Sequence, residues 1–174
     1  MRKLLKSKKG EISDLLIWMI TMFILAVGLF ILMFIIPSIT NGLRSAGLNN
    51  TSTGSDAIAS LEGIGTNVIN NGYLMLFVGL IIGLMISSFL VRTHPIFLFL
   101  YIFFLGITIL IGFYLGNAYE QLVTNPVFSS MVNTATFINV VMRNIAEITL
   151  GVGILSMIIV FAKFSSGETG SSNF

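Results

Sequence analysis

Four stretches of this chain are apolar for about 20 residues, the length that a helix needs to cross the hydrocarbon core of a bilayer at about 1.5 Å per residue. None of them alternates apolar and polar residues as a half-buried strand does. A membrane span must also satisfy its own backbone hydrogen bonds, so each stretch is predicted to be a helix. The predicted spans are residues 15–36, 73–91, 96–115 and 137–162.

The composition supports the same class of protein. Hydrophobic residues make up 55% of the 174 residues and charged residues only 9%, which is too little polar surface to cover a soluble domain. We therefore predict an all-α integral membrane protein that forms one polytopic domain with four transmembrane helices. The chain contains no cysteine, which excludes disulfides and thiolate chemistry.

The basic residues predict how the spans are oriented, because the cytoplasmic segments of membrane proteins are enriched in Lys and Arg. Five of the nine basic residues lie in the first nine positions, and two more lie at the ends of predicted spans. Both termini are therefore predicted to be inside, with segments 38–72 and 117–136 outside. The residues assigned to the inner face, where they also contact lipid headgroups, are Arg2, Lys3, Lys6, Lys8, Lys9, Arg92 and Lys163.

The basic N-terminus followed by an apolar stretch indicates a signal anchor. The sequence around Gly10 also resembles the cleavage site of precursors related to type IV pilins, which are cut after a Gly that follows basic residues. Such precursors usually have Glu at the fifth mature position, where this chain has Leu15. Whether the chain is cut after Gly10 stays open at this point.

The outer segment 38–72 is predicted to follow a helix end at Pro37 and to contain one short helix. Apolar residues at helical spacing run from Ile58 to Ile69, and either Ser55 or Asp56 is a candidate N-cap. This amphipathic pattern predicts a helix that lies on the membrane surface or against the bundle.

The other connections have simpler predictions. Segment 117–136 is expected to form a second interfacial stretch, interrupted by Pro126. The connection at residues 92–95 is short, which predicts a tight antiparallel hairpin of the second and third spans. The Gly- and Ser-rich tail, residues 164–174, is expected to be flexible.

The sequence shows no pattern of residues that indicates catalysis. His94 is the only histidine and has no neighbouring metal-ligating residues, and no Gly-rich phosphate loop connects a strand to a helix. No second basic patch supports nucleic-acid binding. We therefore expect a protein that is not an enzyme, with no metal, no other cofactor, no small-molecule substrate and no nucleic-acid partner.

Small residues recur four apart in two of the predicted spans. Gly79 and Gly83 are followed by Ser87, and Gly112 is followed by Gly116. Such spacing forms a groove on one helix face where another helix can approach closely in lipid. We predict that both patterns mediate helix packing, either within one chain or between copies.

Arg143 and Glu147 are two charged residues at the head of the last predicted span. On a continuous helix they lie four apart on one face and can pair. The 16 steps from Glu147 to Lys163 span roughly 24 Å, less than the bilayer core of about 30 Å, so Glu147 is expected about one turn inside the outer boundary. We interpret Arg143 and Glu147 as an interfacial charged pair that anchors the helix.

Residues 92–163 resemble the small integral membrane proteins of tailless, internal-membrane-containing icosahedral bacteriophages and related viruses. The matching positions are Arg92, His94, Pro95, Asn117, Ala118, Tyr119, Glu120 and Gly153–Leu155. The resemblance implies a structural protein of the virion inner membrane that organises the bilayer. It also implies that the outer loops contact capsid proteins.

Two other functions are consistent with the sequence. A phage holin-like pore-former is also small, basic at one end and has several spans. A small membrane subunit of a cellular secretion, pilus or transport assembly is the third candidate. In all three, the expected partners are the lipid bilayer and other membrane or capsid proteins, including further copies of this chain. The expected location is a virion internal membrane or a host cytoplasmic membrane.

Overall fold

The computed structural model describes residues 12–90 and 95–168 and shows no strand among them. Six α-helices account for most of this part of the chain. They are α1 (Ile12–Ser45), α2 (Ser52–Gly63), α3 (Ile69–Leu90), α4 (Pro95–Val123), α5 (Thr136–Arg143) and α6 (Ile145–Glu168). Short 3₁₀-helices cover Leu48–Asn50 and Ser129–Met131, and a π-helix covers Ile64–Val68.

Four helical segments in the described part are long and apolar enough to cross a membrane. They are Asp14–Ser45, Ser52–Phe89, Phe99–Val123 and Ile145–Ala162. The prediction of an all-helical chain with four such helices is therefore confirmed.

Helix α1 does not end at Pro37, so the predicted boundary was wrong. Proline lacks the N–H that would bond to the carbonyl four residues earlier, yet membrane helices tolerate it when neighbouring groups compensate. Here the residues on both sides of Pro37 make further contacts. Ile36 packs closely on Gly65, and the Thr40 hydroxyl donates to the Pro37 carbonyl at 3.1 Å.

The short helix predicted in segment 38–72 is present as α2, but both of its predicted ends were wrong. Thr51, rather than Ser55 or Asp56, is the N-cap, and its hydroxyl accepts from the backbone N–H of Gly54 at 3.1 Å. The helix does not stop near Gly72. It continues through the π-helix into α3, because the wide π turn absorbs the step between the two helices without breaking the chain of hydrogen bonds.

The last predicted span is divided. Helix α5 ends at Arg143, Asn144 has φ −110° and ψ 25°, and α6 begins at Ile145. The Asn144 side chain donates to the Val140 carbonyl at 2.7 Å, so the residue at the break bonds back to α5. Residues 137–162 therefore form two helices rather than one.

Helices α1 and α6 occupy the middle of the bundle, while α3 and α4 lie on opposite sides of them. Burial agrees with this arrangement. The most apolar windows of the α1 and α6 segments are 28% and 33% buried, against 11% and 17% for the segments that contain α3 and α4. The connection of the predicted tight hairpin, residues 91–94, lies outside the described residues, and within the described ranges α3 and α4 each pack on α6 rather than along each other.

The bundle has two distinct ends. At one end, called here the loop end, Gly65 meets Ile36, and Tyr119 meets Phe30 at a ring distance of 5.8 Å. This end also holds α2, the π-helix, α5 and residues 124–135. At the other end, called here the terminal end, the Ser87 hydroxyl donates to the Asp14 carboxylate at 2.9 Å. Helix α1 therefore begins where α3 finishes.

Several predicted features lie outside the described residues. These are the basic residues Arg2, Lys3, Lys6, Lys8, Lys9 and Arg92, together with His94, the cleavage site at Gly10 and most of the tail. Lys163 falls within α6.

Candidate functional site

The loop end contains a set of polar contacts that join segments far apart in the sequence. The first joins α1 to α2. Arg44, in the last turn of α1, lies 2.8 Å from one carboxylate oxygen of Glu62 and donates to the other at 3.0 Å. Both side chains are partly exposed, so the pair joins the two helices but adds little stability.

The second contact caps α5 from another helix. The residue before α5 is Ala135, which has no side-chain acceptor for the free N–H groups of the first turn. The Asn70 side chain of α3 supplies one instead, accepting from the backbone N–H of Phe137 at 3.1 Å. The start of α5 is thus held by α3, although 67 residues separate the two positions.

The third contact is a buried chain of hydrogen bonds beneath α5. The Tyr119 hydroxyl donates to the side-chain oxygen of Asn139, and the Asn139 amide donates to the carbonyl of Val132. Tyr119 and Asn139 are both buried. Buried polar groups need such partners, and these bonds tie α4, α5 and the preceding loop into one unit.

The fourth contact corrects the predicted charged pair. Arg143 pairs with Glu120 of α4, not with Glu147. Its Nε donates to Glu120 Oε2 at 2.8 Å, and a terminal nitrogen donates to Oε1 at 3.1 Å. The break at Asn144 explains the difference, because it removes Arg143 and Glu147 from a common helix. Glu147 forms no ion pair with any other residue in the described ranges.

A groove of about 460 Å³ opens between α4 and the junction of α5 with α6, and we call it the α4–α6 groove. Its lining includes charged and polar side chains, apolar side chains and two glycines. The lining residues are Gly112, Phe113, Gly116, Asn117, Glu120, Arg143, Ile145, Ala146 and Glu147.

The two predicted small-residue patterns have different surroundings. A Cβ atom on Gly112 would lie 3.2 Å from the Ala146 Cα, and one on Gly116 would lie 3.4 Å from the Met142 carbonyl oxygen. These two glycines therefore let the α5–α6 junction approach α4 within one chain. Gly79 and Gly83 have nothing within 4 Å of their Cβ positions, so a packing role for them between copies stays a prediction.

Ser87, the third member of the first pattern, bonds to Asp14 instead of lining an open groove. The sequence reasoning also missed Gly153, where a Cβ would overlap the Leu105 side chain and lie 3.2 Å from Leu15 Cδ2. Gly153 has no Gly or Ser four positions away, because Thr149 and Met157 flank it at that spacing. The G-x-x-x-G pattern therefore gave no signal there.

Within residues 12–90 and 95–168, no three His, Asp or Glu side chains lie together as a metal site would need. What the loop end offers chemically is an exposed polar surface with fixed geometry, together with one unpaired carboxylate in a groove.

No protein-family model matches this chain, and no curated protein or solved structure shows significant similarity to it.

Proposed function

We propose that the protein is a non-enzymatic structural protein of a membrane, and that its loop end is the surface that other proteins contact. The observation that supports this most directly is the pair of cross-helix ion pairs, Arg44–Glu62 and Glu120–Arg143. They hold the segments between the spanning helices in a defined shape. A protein that only filled the bilayer would not need its connecting segments fixed in this way.

The proposed orientation follows from charge. The basic positions other than Arg44 and Arg143 either precede α1, fall between α3 and α4, or belong to α6 near its end. The described residues next to these positions in the chain, at the start of α1 and the end of α3, meet at the terminal end, which the positive-inside rule would assign to the cytoplasm or the particle interior. The loop end then faces outward.

We further propose that the membrane is the internal membrane of an icosahedral virus particle and that the loop end contacts the protein shell. The resemblance of residues 92–163 to small membrane proteins of such viruses supports this proposal. The fixed and exposed loop end is consistent with a contact to a coat protein.

Crosslinking in intact particles tests this proposal. A photoreactive residue replaces Val127, which is 58% exposed at the loop end, and in a matched control it replaces Phe161, which is 61% exposed near the terminal end. We expect a crosslink to a coat protein from position 127 and none from position 161.

Location provides the second readout. An antibody against residues 167–174 is applied to purified, detergent-treated particles and to membranes of the producing cells. Signal that stays with the particle membrane supports the proposal. Signal confined to the cell membrane contradicts the virion role, and leakage of small solutes from the same cells would then favour the pore-former.

A further inference from the structure

One face of α1 is exposed along most of the helix, and isoleucine dominates it. Its residues follow one another at intervals of three or four positions, so they form a single stripe, which we call the α1 stripe. Met22, Ala26 and Met33 on the opposite face are buried. The exposed residues of the α1 stripe are Ile17, Ile20, Ile24, Gly28, Ile31, Ile35 and Ile39.

The level of the outer membrane boundary can be located on α1. The Glu120–Arg143 pair is exposed, and an exposed ion pair does not lie in hydrocarbon, so it sits at or beyond the edge of the lipid core. Tyr119 is the neighbour of Glu120 in α4, and its ring meets the ring of Phe30 at 5.8 Å. The lipid core therefore ends at about the level of Phe30 on α1.

The α1 stripe crosses this boundary. Ile24 lies six residues, or about 9 Å, on the lipid side of Phe30. Ile39 lies nine residues, or about 13 Å, on the other side, and it is 50% exposed. The headgroup layer is about 5–8 Å thick, so the stripe runs from the lipid core to a level beyond the headgroups.

This depth indicates what kind of partner covers the stripe. Lipid alone does not reach Ile39, and a soluble protein alone does not reach Ile24. One partner covers both positions if it is a membrane protein with an apolar helix that extends equally far past the boundary. A second copy of this chain meets that condition, because every copy inserts in the same orientation and brings its own stripe to the same level.

The spacing of the stripe suits such a self-contact. Ile17, Ile24 and Ile31 are seven residues apart, and Gly28 and Ile35 each lie four residues after one of them. A seven-residue repeat stays in contact along two parallel helices that cross at a small left-handed angle. A Cβ atom on Gly28 would have nothing within 4 Å, which leaves a hole for an isoleucine of the neighbouring copy.

We propose that α1 pairs in parallel with α1 of a second copy, and that the α1 stripe is the interface of this twofold-symmetric dimer. Residues 15–43 are uncharged, so like charges do not meet along the contact. In a twofold interface, residues near the axis lie beside their own counterparts. Ile24 and Ile35 therefore each come close to the same residue of the other copy.

Disulfide formation between single cysteines tests the dimer, since the full-length chain has no cysteine of its own. Ile24→Cys and Ile35→Cys are each oxidised in membranes, and dimers are quantified on non-reducing gels. A disulfide needs Cα atoms within about 7 Å of each other. Leu110→Cys is the control for random collision, because Leu110 is 61% exposed on α4 and lies two residues from Gly112, away from the contact with α6.

We expect about tenfold more dimer at positions 24 and 35 than at position 110, a preference that needs only about 1.4 kcal/mol of association free energy. Adding Gly28→Leu to Ile35→Cys fills the hole in the interface and should reduce the dimer to the level of Leu110→Cys. Gly151→Leu is the matched control, because it adds the same side chain on α6, where a Cβ also has nothing within 4 Å, and should keep the dimer. Circular dichroism checks that each variant retains its helices.

Equal amounts of dimer at positions 24, 35 and 110 would overturn the proposal. Dimers at position 24 without dimers at position 35 would also overturn it, because the part of the stripe beyond the lipid core would then be covered by another protein. Dimers that persist unchanged with Gly28→Leu would contradict the assigned interface. None of these outcomes depends on the virion role.

Discussion

Arg143 and Glu120 form a bidentate ion pair across 23 residues of sequence, with N–O distances of 2.8 and 3.1 Å. The pair joins the end of α5 to α4 next to the break at Asn144. It therefore ties the junction of α5 and α6 to α4.

A double-mutant cycle tests the Arg143–Glu120 pair. Arg143→Gln and Glu120→Gln should each lower the free energy of unfolding, and the coupling between them should be about 0.5–1 kcal/mol because both side chains are partly exposed. Unfolding in detergent, followed by circular dichroism, gives the energies. Combining Glu120→Gln with Arg44→Gln is the control and should give additive effects, since Arg44 pairs with Glu62 instead. Additive effects within the first cycle would contradict the pairing.

Gly153 and Gly151 provide a matched pair on α6. Alanine at 153 would overlap Leu105 and crowd Leu15, and we expect this overpacking to cost about 1–3 kcal/mol. A Cβ atom at position 151 would have nothing within 4 Å. Gly151→Ala should therefore leave stability unchanged or raise it slightly, since Ala has a higher helix propensity than Gly. Thermal midpoints in one detergent compare the two. If Gly151→Ala lowered the thermal midpoint as much as Gly153→Ala does, the assignment of these two helix faces would be wrong.

The two G-x-x-x-G patterns should respond differently to leucine. Gly112→Leu places a side chain against the backbone of Ala146, so α4 and α6 must separate and stability should fall by about 2 kcal/mol or more. Gly83→Leu meets open space within one chain and should leave the thermal midpoint unchanged. Chemical crosslinking of both variants then reports association. Loss of crosslinked dimers in Gly83→Leu alone would support the predicted packing role of Gly83 between copies.

Asn70 should control the start of α5. Asn70→Ala removes the acceptor for the Phe137 N–H and should cost about 1 kcal/mol, the usual value of a lost N-cap. Hydrogen exchange should become faster at the first N–H groups of α5. Asn71→Ala is the control, because Asn71 is exposed and Asn70, not Asn71, accepts from the Phe137 N–H. Equal exchange rates at α5 in both variants would rule out the cap.

The sequence predicted the features that depend on local composition. Four apolar helices follow from hydropathy alone, because an uncharged stretch of about 20 residues has few other stable states in a membrane. The close approach at Gly112 and Gly116 was also predicted, since small residues at that spacing leave room for a neighbouring helix.

The features that were wrong depend on contacts between distant segments. The helix continues past Pro37, where Ile36 packs on Gly65, and Arg143 pairs with Glu120 beyond the reach of a common helix because the chain breaks at Asn144. Neither Gly65 nor Glu120 is near its partner in sequence. Local propensity therefore could not identify them, and an i, i+4 rule for charges gave Arg143 the wrong partner.

The central position of α6 has a consequence for how the protein is made. Helices α3 and α4 are neighbours in sequence but lie on opposite sides of α6, which is synthesised after both. The close contacts of α4 at Gly112 and Gly116 are made with the α5–α6 junction, so they can form only after that junction has been synthesised. A chain cut short before Ile145 would therefore leave uncovered the faces of α3 and α4 that pack on α6.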